Sequence, residues 1–439
     1  MFLAILLGPG DVHASAPSTL RIGLIDRFNN RPAIAINNTS LIFHGHGDAA
    51  FFQSPAGFTV RPYGSRYAAL YDGSGRIWVS DFMLLYDGYA LDMVTIDGIS
   101  FRGGIEFARL GSGVTAVNWV SMEEYLFSVV PSEMPATWHL EALKAQAVAA
   151  RTYALYTMER SIHTGFDLCN TVCCQVYHGV EWEHENSTNA VLATAGLALY
   201  FGGELIEAVY SASSGGFTEN SENVWLEARP YLRGVPDPFE FEPVMWTRTF
   251  KLAELTNLLA QNNRNIGSAT GMAVSSITPF GRVERLIIHG TAGQTVLERE
   301  EIRTFFSPAY YGSLQSRIFT LGGVGHVMPP LPPPVPAPLS NVAISDGQSV
   351  QNVAAVGLYG IAAQGSPTAI SSPVVYGAVA AVNLPQTDLT SVSGQTVVIA
   401  GRGFGHGVGM SQRGAEGMAR RGHNFREILT HFYTGTTIE

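Results

Sequence analysis

The chain has 439 residues and a net charge of −10, with 26 basic against 36 acidic residues; 46% of it is hydrophobic and only 14% charged. That balance excludes a disordered chain, a coiled coil and a basic nucleic-acid binder, and at about 150 residues per domain the length predicts two or three domains with sizeable cores. Three cysteines, all between residues 169 and 174, are an odd set that argues against a disulfide framework.

In chain order, residues 1–16 come first. Phe2 to Leu7 is a short apolar run, and Ala14-Ser15-Ala16 has the small-residue form of a cleavage site, so a truncated secretory signal is expected there. No later run reaches the roughly 18 apolar residues that span a bilayer. The expectation is a protein exported to the cell envelope, with no membrane span in the mature chain.

Residues 17–118 read as β-rich, with short strands such as Leu20 to Ile25 and Ile77 to Val79, and hairpin signals at Asp72-Gly73 and Asp97-Gly98. His44 and His46, in a Gly- and Asp-rich segment, fit a solvated turn better than a metal site. The texture changes at Val120. Ser121-Met122-Glu123-Glu124 has the form of a helix start, Pro131 and Pro135 are expected to interrupt, and a long helix is predicted from His139 to Arg160. Its apolar face is predicted to be Leu140, Leu143, Ala147, Ala150 and Ala154. A loop over 161–180 carries the cysteines, a second helix is predicted over 185–195 and a hairpin over 197–210, and residues 251–321 alternate helix and strand. Residues 119–321 thus form a mixed helix and strand core. Residues 322–394, opened by the proline-rich run Met328 to Pro338, read as a linker and inserted β-type module. Residues 395–439 return with a strand, a glycine loop and two short helices, the last carrying Phe425, Ile428, Leu429, Phe432 and Tyr433 on one face. The fold class expected is α+β, a β-rich N-terminal part packed on a mixed core that carries a Pro-rich, β-type insertion.

Three segments carry chemistry. Glu133 lies between two prolines and among apolar neighbours, a setting that holds a carboxyl in place and favours its neutral form, as a general acid requires; a helix-capping role is the plainer alternative. Gly401 to Gly409 alternates glycine with other residues, but the G-x-G-x-x-G spacing fails from every glycine and no βαβ unit follows, so a nucleotide site is rejected. The alternation instead lets backbone approach a partner closely, with His406 and Gln412 as polar groups at a groove. Ser211 to Gly216 contains no G-x-S-x-G, which excludes a serine nucleophile elbow. His163, Cys169, Cys173 and Cys174 offer one imidazole and three thiols, the donor set of a closed structural zinc site, with His178 in reserve; reduced buried thiols are the alternative.

The run Tyr125-Leu126-Phe127-Ser128-Val129-Val130-Pro131-Ser132-Glu133-Met134-Pro135, with Glu141 to Tyr153, closely resembles the signature of the SpoIID/LytB family, the stage II sporulation protein D and amidase-enhancer proteins. Cys174-Gln175-Val176-Tyr177, Ser211 to Gly216, Pro230-Tyr231-Leu232, Gly403 to Gln412 and Ile428 to Thr436 match further family motifs in order. The resemblance covers about residues 20–321 and 395–439 and leaves the insertion without a counterpart. It implies a peptidoglycan-active protein, a lytic transglycosylase acting on peptide-stripped glycan strands, with Glu133 as the single catalytic acid and no cofactor for catalysis. It also implies a zinc held in the cysteine loop, where Cys173 stands at a position the family commonly fills with histidine. Lys144, Arg151, Gln175, Tyr177, Ser213, Ser214, His406 and Gln412 are the candidates for holding glycan. Two other functions remain open at this level: a non-catalytic, glycan-binding enhancer of an N-acetylmuramoyl-L-alanine amidase, and a zinc hydrolase using the Cys/His loop.

Overall fold

A computed structural model of the chain describes residues 19–44, 49–87, 93–306, 313–322, 342–345, 350–353, 392–393 and 396–439. The signal expected at 1–16, His46, and most of the 322–394 insertion, including the Met328 to Pro338 run, lie outside these residues. The fold is α+β and rich in strands, as expected. Its contacts divide it into two compact units, one running up to Val209 and resuming at Asn424–Glu439, the other spanning Tyr210–His423.

The first unit opens with strands. A seven-stranded sheet has the order Leu168–Cys169, Leu20–Gly23, Thr115–Val120, Gly104–Ala108, Leu84–Asp87, Ser40–His44 and Ala49–Gln53; a six-stranded sheet runs from Ile99–Arg102 to Gly75–Ser80. The Asp97-Gly98 hairpin forms as predicted. Ile96 pairs with Ile99, and both turn residues have positive φ, 45° and 83°, the backbone of a type I′ turn.

Three helices follow: α1 (Met122–Glu133), α2 (Leu140–Arg160) and α3 (Glu185–Ala193). Ser121 caps α1, its Oγ accepting the Glu124 N–H at 3.4 Å. Of the two prolines expected to interrupt, only Pro135 does: α1 continues through Pro131, with Ser132 Oγ donating to the Ser128 carbonyl at 2.7 Å, and stops at Glu133. Pro135 forbids helical backbone to the residue before it, and Met134 is accordingly extended, with φ −136° and ψ 131°. That stop makes Glu133 the last residue of the helix.

The apolar face read for α2 is too narrow. Ala142, Ala145, Ala147, Ala149, Ala150 and Ala154 are all fully buried, whereas Leu140 is 44% exposed. Alanines let neighbours approach from several sides, and α1, α3 and the Phe425–Phe432 helix all pack on α2. The C-terminal residues complete this unit. Thr437–Ile438 pairs with Leu199–Tyr200, the Phe425 N–H donates to Glu141 Oε2 at 2.8 Å, and Tyr433 Oη donates to the Val209 carbonyl at 2.9 Å. Ile428, Leu429, Phe432 and Tyr433 are buried, as the spacing predicts.

The second unit has a core of Phe250, Leu255, Leu258, Met272, Leu286, Ile288, Leu297, Phe306, Val397 and Ile399. Two sheets and the Leu252–Gln261 helix enclose it. One sheet orders Met245–Lys251, Thr396–Arg402 and Ile318–Leu321; the other orders Gly293–Glu298, Val283–Gly290, Ala269–Ile277 and Val392–Ser393. Residues 210–211 and 410–411 pair as short parallel strands, joining the Ser211 to Gly216 segment to the glycine loop.

Candidate functional site

Glu133 is partly buried at the C-terminal end of α1, and its Oε1 accepts the Val176 N–H at 3.1 Å. The Cys174-Gln175-Val176-Tyr177 motif supplies that amide and fixes it on both sides. Gln175 is fully buried; its Oε1 accepts from Tyr125 Oη at 3.2 Å and its Nε2 donates to the Ala150 carbonyl at 3.2 Å. Tyr177 is buried, and its Oη donates to Asn118 Oδ1 at 2.7 Å. Burial pushes the Tyr125 and Tyr177 phenols far above their ordinary value, so both remain neutral donors.

Arg151 is also internal. Its Nε and Nη2 form a bidentate pair with Glu123 at 3.0 and 2.6 Å, and its Nη1 reaches the Leu197 carbonyl at 3.1 Å. Lys144 sits one turn from Glu141 and pairs with it at 2.7 Å; about 20% of its side chain reaches solvent.

One residue before Gln175 the chain enters the cysteine cluster. The ligand atoms of His163, Cys169, Cys173 and Cys174 all lie within 4.8 Å of one another. His163 Nε2 is 3.0 Å from Cys174 Sγ, and the Cys169 N–H donates to the same sulfur at 3.4 Å. Ligands about 2.3 Å from a tetrahedral ion stand about 3.8 Å apart, so the group fits one metal ion after a small contraction. The proton affinities fit as well. The hydrogen bond from Cys174 draws the Cys169 thiol down to about 4, and the same contact pushes Cys174 up; desolvation pushes Cys173 up. The cluster therefore takes one thiolate readily and resists more, a conflict a dication relieves.

The second unit holds the remaining candidates. Ser213 and Ser214 are buried, with their hydroxyls on carboxylates: Ser213 donates to Glu240, and Ser214 donates to Asp237 Oδ2 at 2.7 Å and lies 3.3 Å from Glu240 Oε2. Burial and the nearby Glu240 charge push Asp237 up to about 7, and burial pushes Glu240 up too. Gln412 is buried as the first residue of the Gln412–Arg420 helix. His406 is partly buried; its Nδ1 accepts the Val408 N–H at 3.0 Å and its ring lies 4.9 Å from that of Trp225. Desolvation, then the charges of Arg303 and Arg282, push the imidazole down to about 3, so it is neutral at physiological pH. The alternate glycines answer to a close approach within the chain. Gly407 has φ +78°, and a Cβ there would fall 1.9 Å from Arg282 Nη2. Arg282 is buried and donates to the Phe217 and Ser214 carbonyls at 2.9 and 2.8 Å.

Sequence reasoning missed the backbone N–H of Val176, which no side-chain pattern advertises, and the Asp237/Glu240 pair. Asp237 did carry a signal: it stands between Pro236 and Pro238, much as Glu133 stands between Pro131 and Pro135.

An α+β scaffold that ends a helix on a pinned glutamate, beside a Cys/His cluster, is the class this geometry defines. Residues 111–201 match the family described as stage II sporulation protein, SpoIID, and residues 240–328 match a domain of unknown function, DUF8618. The resemblance read from the motifs is borne out: the chain is similar to stage II sporulation protein D and amidase-enhancer proteins over most of its length. It is 27% identical over 342 residues to stage II sporulation protein D of Bacillus subtilis, covering 74% of this chain and 76% of that protein. It is 28% identical over 328 residues to the amidase enhancer of the same organism, 71% of this chain but only 40% of that protein. An uncharacterized protein of Brachyspira hyodysenteriae is 29% identical over 351 residues, 79% of this chain and 74% of its own length. Among the described residues no helix is long and apolar enough to cross a membrane.

Proposed function

We propose that the chain is an exported, envelope-located lytic transglycosylase that cleaves peptide-stripped peptidoglycan strands, with Glu133 as its one acid and base. The observation that carries this reading is the Val176 N–H held 3.1 Å from Glu133 Oε1 at the end of α1, which fixes the orientation of the carboxyl.

A hydrolytic glycosidase needs two carboxylates; a transglycosylase can work with one. Protonated Glu133 gives its proton to the oxygen joining N-acetylmuramic acid to N-acetylglucosamine, and the C1–O bond breaks toward an oxocarbenium-like centre. The ionised carboxylate then takes the proton of the muramic C6 hydroxyl, whose oxygen bonds to C1. The product is the 1,6-anhydro sugar, water is not consumed, and Glu133 is again protonated. In this reading Arg151, Gln175 and Tyr177 position the Glu133 frame from behind, Lys144 is open to direct contact, and Ser213, Ser214, His406 and Gln412 shape the glycine-loop region toward glycan.

The test is incubation of the purified chain with peptide-free strands and mass spectrometry of the products. 1,6-Anhydro-N-acetylmuramic acid ends, one water lighter than hydrolysis products, are expected. The name of the amidase-enhancer relative favours a second reading, in which the chain binds glycan and stimulates an N-acetylmuramoyl-L-alanine amidase. Stimulation of an amidase with no anhydro product would establish that reading instead.

In the same proposal the metal is zinc, held by His163, Cys169, Cys173 and Cys174, and its part is structural: it closes the 161–180 loop and so steadies the Cys174 to Tyr177 motif. Protein prepared without chelator is expected to hold about one zinc per chain. Removing it should lower the melting temperature and speed hydrogen exchange in residues 161–180, because structural metal binding is partly folding free energy. A metal-free preparation of equal stability rules the site out.

A further inference from the structure

Beside the Glu133 frame, the first unit has a cleft of about 160 Å³ that the chemistry above does not use. Its floor is aromatic: Phe28, Phe101 and Tyr177 are nearly fully buried and pack ring against ring, with centroids 6.5 and 5.9 Å apart. Its rim is polar and of both signs, from Asp26, Arg27 and Glu181. Trp182 stands at the edge, 52% exposed, with its ring 4.5 Å from that of His178.

The walls are fixed. Buried Asn170 accepts the Asp26 N–H at 3.3 Å and donates from its amide to the Asp26 carboxylate. Glu181 accepts the Ser100 N–H at 3.1 Å. Gly179, at φ +88°, presses its turn onto the neighbouring hairpin so closely that a Cβ would lie 2.5 Å from the Ser100 carbonyl. Trp182 is therefore left half in water beside these fixed walls, although an indole is ordinarily better covered.

The geometry points to one occupant. We infer that this cleft is a sugar subsite, in which a pyranose ring of the glycan strand lies against Trp182 with its hydroxyls toward Asp26, Arg27 and Glu181. A pyranose has an apolar C–H face for the indole and a girdle of hydroxyls that both donate and accept, which suits acids and a guanidinium together; an anion or a cation would meet a like charge. The cleft also lies along the strand's path. The Val176 N–H touches Glu133, and the His178 N–H donates to Ser128 Oγ at 3.3 Å, so the 176–178 segment runs back along α1 by about 7 Å. A strand engaged at Glu133 can thus reach the cleft with a neighbouring sugar. The assignment rests on the proposed glycan substrate and adds a subsite to it.

The test compares the full chain with Trp182→Ala, Trp182→Phe and Arg27→Gln, using peptide-free glycan strands in two readouts, turnover and co-sedimentation. Trp182→Ala is expected to raise KM and the half-saturating strand concentration about tenfold while kcat stays within about twofold; Trp182→Phe should recover most of the loss, and Arg27→Gln should weaken binding about threefold. Wild-type KM and retention in Trp182→Ala overturn the subsite, as does a loss seen only with strands that still carry stem peptides. Co-sedimentation needs no turnover. A wild-type chain that binds strands but releases no anhydro product defeats the transglycosylase reading alone, and the Trp182→Ala difference still decides the subsite.

Discussion

Glu133→Gln is expected to lower strand cleavage by at least about 10²-fold, and by up to about 10⁴-fold, with folding and strand retention unchanged. The amide keeps the shape of the carboxyl and still offers an oxygen to the Val176 N–H, so the end of α1 and the Cys174 to Tyr177 motif stay as they are. What it loses is the proton. It can neither protonate the glycosidic oxygen nor reclaim a proton from the C6 hydroxyl, and both halves of the cycle fail together. Cleavage rate, melting temperature and co-sedimentation should be measured on one preparation. Near-normal turnover in a folded variant would remove Glu133 from the mechanism.

The second large effect is on stability. Asp237 is held at about 7 in the folded chain against an ordinary 3.8, because it is buried and faces Glu240. A folded value above the unfolded one means that the folded state keeps the proton longer. The stabilisation is fully present below about pH 3.8, declines as pH rises toward 7, and is gone above that. At about 1.4 kcal/mol per unit, the loss across the window is on the order of a few kcal/mol. Glu240 is shifted the same way and adds to the slope, with the cations of Arg282 and Arg402 opposing it. Glu222, lowered by Arg233, acts in the opposite direction but only below its ordinary 4.5, outside most of this window. His406, held at about 3, and Cys169, held at about 4, act in the opposite sense between pH 5 and pH 8, so the Asp237 contribution is read as a difference: in denaturant unfolding, the stability of Asp237→Asn relative to the wild type should rise by up to a few kcal/mol from pH 5 to pH 8. A variant-to-wild-type difference that is the same at both pH values would contradict the raised Asp237 pKa.

Much of the fold was legible because it is local. Asp97-Gly98 forms its turn from two residues that tolerate positive φ, Ser121 caps a helix within one turn, and the last helix shows its buried face at a spacing of three and four. The Cys/His group was legible because its members lie close along the chain. What could not be read depends on distant partners. The α2 face was underestimated because alanine spacing does not reveal how many helices will pack around it. The end of α1 was misplaced because Pro131 alone suggests a break, whereas the pair Ser128 and Ser132 and the extended residue before Pro135 together move it to Glu133. Arg151, Gln175, Ser213 and Ser214 carry the residue types of a sugar site, yet their polar atoms meet Glu123, Ala150, Tyr125, Asp237 and Glu240, partners that no spacing names.

The tie between Val209 and Tyr433, with the Thr437–Ile438 strand beside Leu199–Tyr200, bears on the order in which the protein can be finished. Synthesis delivers α1, α2 and Glu133 early, but the Phe425–Phe432 helix that packs on α2 arrives only after every residue from 210 to 423. During that interval the alanine-rich flank of α2 lacks its cover, and the glutamate sits on an unfinished mount. A nascent or C-terminally clipped chain is thereby denied a complete first unit. For a protein whose proposed substrate is the wall that contains the cell, a first unit completed only by residues 424–439 is a safeguard written into chain connectivity.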